Sequence, residues 1–291
     1  QELLLTQLNQ AEIHLAQQSL QLSNPIEITT QQDNIYLTPH CWKAMAKNSN
    51  DQQGKLCIKE FNVGNTGHVI MDIEKYLLHN LNPFLPEQFK VSGAISSSVN
   101  LDWLENSKPT FAVNVISENM LFKINSDPRT KTFIDYPMKN FNIDIQSKQQ
   151  QVDINAHMFA DNLIDVKLKG QLSPYKDQPA IDTQLSINLP DFSLFLPLAR
   201  NVEALNGKLS SHLNISGDIK KPIVNGVIEV QNGQLTSIDL PMKISEFQTQ
   251  VVITDTKAVI QGEFSSKDSN TIVEKAADIP LLTDTLNIFD R

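Results

Sequence analysis

The residue types able to do covalent or acid–base chemistry are few in this chain, and their spacing brings little together. Cys41 and Cys57 stand 16 residues apart across two polar, turn-rich stretches, Asn48-Ser49-Asn50-Asp51 and Gln52-Gln53-Gly54. A disulfide between them would close a hairpin-sized loop, contribute about 3 kcal/mol in the chain-entropy model and favour an oxidising compartment. The alternative is a pair of unrelated reduced thiols. The six histidines, His14, His40, His68, His79, His157 and His212, never fall at metal-ligand spacing and none accompanies a cysteine motif. Each reads as a surface strand residue. No Gly-x-Ser-x-Gly elbow, phosphate-binding glycine loop or dinucleotide fingerprint occurs. Asp144, Asp153 and Asp165 alternate with apolar neighbours, which places them on a wet face rather than in an acid–base pair. Asn214-Ile215-Ser216 fits the glycosylation pattern, but three-residue matches are too frequent to carry weight. The reading is of a non-enzyme with no cofactor and no metal.

Composition narrows the class. At 40% hydrophobic and 20% charged residues the chain is not disordered. A net charge of -9 and a pI near 5.1 argue against nucleic acid as a partner and against docking on anionic headgroups. No apolar run reaches the roughly 18 residues that a membrane helix needs. The chain opens Gln1-Glu2-Leu3, without Met and inside a strand-like pattern, so it reads as a fragment or processed piece of something longer.

The elements are mostly strands. Period-two alternation marks Phe111–Val115, Phe141–Ile145, Val152–Ala156, Ile164–Leu168, Leu185–Leu189 and Ile228–Val230 as antiparallel strands with one apolar face. Turn signals separate them at Asp161-Asn162, Ser173-Pro174, Asp218–Pro222 and Gln231-Asn232-Gly233. The pattern predicts about 18 strands. Helix is expected only over Ile73–Leu81 and over Asp191–Leu196, with Asp191 as N-cap.

An internal repeat organises these elements. Phe84-Leu85-Pro86 recurs as Phe195-Leu196-Pro197, and Gly93–Leu101 as Gly207–Ile215. Tyr136-Pro137-Met138-Lys139 recurs as Leu240-Pro241-Met242-Lys243, and Gly170-Gln171-Leu172 as Gly262-Glu263-Phe264. The expected layout is an N-terminal β segment over 1–83, a first repeat unit over 84–194, a second, shorter unit over 195–266, and an atypical, loosely helical tail over 267–291. Each short helix precedes a glycine strand and reads as a plug at the start of its unit. Repetition of a multi-strand unit builds something long rather than a single pocket.

Each strand has an apolar face, yet almost no amphipathic helix is available to cover it. A sandwich, a barrel or one curled sheet would solve this. Sandwich repeats would need linkers that are not evident. A membrane barrel needs aromatic girdles, and two tryptophans with four tyrosines are too few. The expected fold is therefore all-β: an elongated, curled antiparallel sheet forming a U-shaped hydrophobic groove, with a few short helices.

The order of these landmarks carries a family likeness. Leu205-Asn206-Gly207 through Asn214-Ile215-Ser216-Gly217-Asp218-Ile219-Lys220-Lys221-Pro222 to Asn225-Gly226-Val227-Ile228 resembles the TamB family. That family's C-terminal half repeats glycine, alternating strand, glycine, polar linker, proline, glycine and a new strand. Val230-Gln231-Asn232-Gly233-Gln234-Leu235, Leu240–Ile244, the cysteine pair and Pro83–Pro86 before Gly93 extend the likeness over most of residues 30–266. The resemblance implies an AsmA-like, bridge-like lipid-transfer protein in the periplasm, anchored in the inner membrane outside this chain. It implies phospholipid movement through a β-groove, an outer-membrane barrel partner of the TamA type, and a role in outer-membrane protein assembly.

Alternation and likeness meet at the apolar face, whose inward residues would touch phospholipid acyl chains. The candidates are Val113, Val115, Phe141, Ile143, Ile145, Val152, Ile154, Ile164, Val166 and Leu168 in the first unit. Those further on are Leu185, Ile187, Leu213, Ile215, Ile228, Val230, Val251, Ile253 and Ile260. Simple core packing is the alternative for each, and a register slip of one residue would turn a whole strand's set outward. About eighteen strands at about 4.8 Å spacing would run on the order of 85 Å, a conduit's length. The rival function is a scaffold that adds a strand from an unfolded barrel substrate. A β-solenoid adhesin would need equal rungs, and the copies are unequal, 89 residues against 70.

Overall fold

Alternating apolar and polar residues with little helix-forming periodicity dictate strands, and strands dominate the molecule. The computed structural model describes residues 3–15, 18–44, 54–127, 132–148, 150–175, 178–193, 196, 202–239, 243–266 and 269–278. Among them are twenty strands, with antiparallel pairings that do not close into a barrel. The first ten are β1 (Leu3–Leu8), β2 (Glu12–Leu15), β3 (Gln18–Leu22), β4 (Ile26–Gln31), β5 (Asn34–Leu37), β6 (His40–Ala44), β7 (Lys55–Val63), β8 (Gly67–Leu77), β9 (Phe89–Trp103) and β10 (Thr110–Asp127). The rest are β11 (Thr132–Pro137), β12 (Asn140–Lys148), β13 (Gln151–Ala160), β14 (Ile164–Ser173), β15 (Ala180–Leu189), β16 (Val202–Asp218), β17 (Lys221–Ser237), β18 (Ile244–Thr254), β19 (Lys257–Ser266) and β20 (Ser269–Asp278).

The chain divides into two compact units, Gln1–Phe122 with Phe141–Asp153, and Lys123–Asn140 with Ile154–Arg291. In the first, β6, β7, β8 and β9 pair in sequence order, while β4 and β5 carry β1 to one side. Cys41 on β6 lies directly opposite Cys57 on β7, and the two form a disulfide. In the second unit β14 through β20 form an uninterrupted meander, each strand antiparallel to the next. Antiparallel neighbours need no crossover helix between them.

Three sequence expectations are corrected. Ile73 and Leu77 are not helical: β8 continues to Leu77, because Ile73, Tyr76 and Leu77 find ladder partners in Ser97, Ile95 and Ala94 of β9. A bulge at Lys75, φ 54°, absorbs the misfit. The 3-10 helix follows at Leu78–Phe84, carries Pro83 and buries Leu78. Gln231-Asn232-Gly233 does not end a strand, since β17 runs through it with shifted register and Asn232 at φ 52°. Turn-forming residues here make a bulge. The tail is not helical at its start, because β20 pairs along β19 from Ser269 to Asp278, using the β-branched run Thr271-Ile272-Val273. Residues 279–291 lie outside the described residues, as do Phe195, Pro197 and Leu240-Pro241-Met242 of the repeat landmarks.

Phe192, Ser193 and Leu196 have 3-10 geometry ahead of β16. Asp191 clasps that turn: the Ser193 amide and hydroxyl both donate to its carboxylate, at 2.9 Å each. The two landmark glycines match in backbone as well as in sequence, Gly93 at φ 97° and Gly207 at φ 138°. A Cβ at Gly93 would lie 2.4 Å from the Asn119 carbonyl oxygen, so glycine is required for conformation and for space.

The disulfide closes a loop of 16 residues' separation, which corresponds to about 3 kcal/mol of stabilisation. Reduction, or Cys41→Ala with Cys57→Ala, is expected to lower the urea midpoint accordingly, with a modest rise in m-value as the unlinked denatured chain expands. An unmoved midpoint would show that the bridge adds nothing.

Candidate functional site

Register decides which side chains share a face, since directly opposed residues point the same way. Across the second unit the ladder aligns Val166, Ile187, Ser211, Ile228, Val251 and Ile260 in one row. Two residues along, Leu168, Leu185, Leu213, Gly226, Ile253 and Ala258 form the next. Thr183, Ile215 and Val224 continue on one side, and Leu189, Leu209, Val230, Thr249 and Gly262 on the other. Ile164, two residues before Val166, lies on the same face of β14, and Ile154 lies on β13. In the first unit Val113 opposes Ile145 and Val115 opposes Ile143, with Phe141 two residues beyond Ile143 on that face of β12. Val152 lies on β13 and is 5% exposed.

The other face of the second unit is mostly polar along β14 to β16 and mixed further on, where His212 is followed across the ladder by Val227, Val252 and Val259. One row reads Asp165, Asn188, Ser210, Glu229, Gln250 and Gln261, and the next begins Lys167, Ser186 and His212. The Gln250 side-chain amide donates to Glu229 at 2.8 Å. His157 faces Asp165 through Nε2 at 2.9 Å and Asn140 through Nδ1 at 2.8 Å, while Lys167 donates to the second Asp165 oxygen at 2.9 Å. Burial pushes the Asp165 carboxyl up, but the hydrogen bonds and charges of Lys167 and His157 outweigh it and hold the group below its ordinary value. In the first unit His68 lies between Asp102 and Glu60, and Lys59 pairs with Asp72. These pairs brace neighbouring strands. Among the described residues no group of three His, Cys, Asp or Glu side chains could hold a metal ion, and no helix is long and apolar enough to cross a membrane.

The apolar face is open. Of the nineteen sequence candidates seventeen are half-buried, Val152 is buried, and Ile260 is 37% exposed. A face covered by a second layer would bury nearly all of them. Two small polar residues sit within it unnoticed by the sequence reading: Ser211, 3% exposed, and Thr183, 4% exposed. Larger neighbours cover their hydroxyl oxygens, which have no hydrogen-bond partner. At one end of the face lies a pocket of about 230 Å³ lined by Leu235, Ile244, Phe247, Thr249, Ile260, Gly262, Glu263 and Phe264. Strict alternation does not reveal it, because the double bulge in β17 brings Gly233 opposite Phe247 and Leu235 opposite Ile244.

Two outcomes follow from these groups. Thr183→Val replaces an unpaired buried hydroxyl by a methyl of the same shape and is expected to stabilise by about 1 kcal/mol in urea unfolding. A loss of that size instead would mean that the hydroxyl has a partner in solution. The depressed Asp165 pKa contributes stability above the ordinary carboxylate pKa, and that stability is lost as pH falls through the lowered value. Asp165→Asn is therefore expected to cost up to about 1 kcal/mol at neutral pH and nothing at strongly acid pH. An equal cost at both would contradict the ion-pair account.

Comparison with known proteins gives the fold its context. A family model described as TamB, N-terminal domain, matches residues 2–230. The Translocation and assembly module subunit TamB of Haemophilus influenzae (strain ATCC 51907 / DSM 11121 / KW20 / Rd) is 24% identical over 249 residues, which is 84% of this chain and 18% of that protein. The chain thus spans less than a fifth of the relative's length. No solved structure matches it. Leu205–Ile228, whose pattern resembles the family's C-terminal half, falls inside the N-terminal match, so the family likeness stands and that placement within the family does not. With an all-β antiparallel architecture and a family model covering most of its length, this chain belongs to the TamB family.

Proposed function

We propose that the apolar face carries phospholipid acyl chains and that the chain is one stretch of a periplasmic conduit between inner and outer membranes. The observation that supports it most is the conjunction of aligned apolar rows with half-burial: Val166 and Ile187, and beyond Ser211 Ile228 and Val251, stand in one row and all four are half-buried. A face of this kind can receive hydrocarbon, and about 16 methylenes offer up to about 12 kcal/mol, less whatever stays wet. Headgroups would remain in water beyond the strand ends. The Cys41–Cys57 disulfide fits an oxidising compartment, and the family fits an inner-membrane anchor outside this chain with a TamA-type barrel partner.

A second reading, strand addition during outer-membrane protein assembly, is favoured by β1. Leu3, Leu4 and Leu5 are 64%, 63% and 65% exposed, as on a strand that awaits a neighbour. The name of the Haemophilus relative, a translocation and assembly module subunit, is compatible with either reading.

The two faces differ by one residue, which gives a sharp test. Ile187→Glu places a carboxylate in the apolar row, while Ser186→Glu places it on the polar face of the same strand. Native mass spectrometry of the purified chain is expected to find phospholipid bound to wild type and Ser186→Glu and depleted at least tenfold from Ile187→Glu, about 1.4 kcal/mol or more. Equal lipid content in the two variants would contradict the conduit reading and favour strand addition.

A further inference from the structure

We infer that Phe192 is the end stop of the apolar face in the second unit and sets the length of hydrocarbon that the face accepts. The inference rests on the reading of that face as lipid-bearing. Phe192 is 8% exposed and Leu189, in the row before it, 6%, so the two close this end of the face together. Phe192 projects from the turn after β15 that Asp191 clasps, three residues past Leu189, whose row with Leu209 and Val230 is the last regular one.

Beyond that row the sheet has no side chains of its own at two neighbouring positions. Gly207 on β16 sits at a register shift, and a Cβ there would lie 2.6 Å from Phe192 Cε1 and 3.0 Å from the Gly233 Cα. Gly233 on β17 sits at the facing bulge, and a Cβ there would lie 2.4 Å from Phe247 Cε1 and Cζ. Each ring therefore occupies the space that a missing side chain leaves, one supplied by the turn and one by β18. Phe247 in turn lines the pocket with its ladder partner Phe264. Alanine at Gly207 would collide with the Phe192 ring and would also hold a backbone angle that side chains rarely adopt.

The geometry along the strands makes this a ruler. Successive rows lie two residues apart, about 6.8 Å, so the four steps from the Ile181 row to the Leu189 row span about 27 Å. Hydrocarbon laid along β15 and β16 from the Ile181 end would cross those rows and meet the Phe192 ring. Shorter chains fit whole, and longer ones leave methylenes in water.

The test is equilibrium binding of a homologous series of alkylphosphocholines to the full chain, read by displacement of a fluorescent fatty acid. Wild-type affinity is expected to rise about fourfold per added methylene and then level off at a defined chain length. Phe192→Ala is expected to move that break point to longer chains, and Phe192→Leu to move it less. Should Phe192→Ala not fold, the Leu variant alone decides. A break point unmoved in a folded variant overturns the end stop while the lipid-bearing reading stands. No binding of any chain by the wild type overturns both.

Discussion

The structure depends on the register of one antiparallel ladder. A strand's side chains alternate with a period of two, so a slip of a single residue would carry every apolar group of that strand to the polar face. From β14 to β19 the observed register avoids this at each step, so that Val166 meets Ile187, Ile228 meets Val251, and Val251 meets Ile260. Polar contacts on the opposite face reinforce the same alignment. The His157–Asp165–Lys167 group and the Gln250–Glu229 hydrogen bond join strands that the apolar rows also join.

The same ladder explains why the apolar face stays open. A compact domain covers its sheet with helices or with a second sheet. Among the described residues the buried apolar side chains are few and spread out: Leu78, Val91, Ala94, Leu189 and Phe192 lie where short 3-10 segments meet the glycine-bearing strands, while Ile26, Ala44, Ile124, Val152, Ala160, Leu163 and Ala258 lie on other strands and turns. Elsewhere the rows remain half-exposed.

Much of this was legible in the chain because period-two alternation is the least ambiguous local signal. Phe141-Asn142-Ile143-Asp144-Ile145 and Ile164-Asp165-Val166-Lys167-Leu168 are strands as read, and the register sets the apolar residues of each on one side of its ladder. The sequence failed where tertiary pairing overrode local preference. Ile73–Leu77 has a helical spacing, but an unpaired β9 edge offered it ladder hydrogen bonds. Gln231-Asn232-Gly233 looks like a turn, but it is spent as a bulge within a seventeen-residue strand. That bulge created the pocket at Phe247, so the same misreading hid both. Ser211 and Thr183 escaped notice because a small hydroxyl looks innocuous in a strand until its neighbours are known.

The central claim is that hydrocarbon lies against one face of the second unit and not the other. Site-specific photocrosslinking in cells tests it most directly, with a photoreactive side chain placed in turn at Ile228 and at its sequence neighbour Glu229, and adducts read by mass spectrometry. The account predicts phospholipid adducts from position 228 and none from 229. Adducts of equal yield at both positions, or protein adducts alone from position 228, would contradict it.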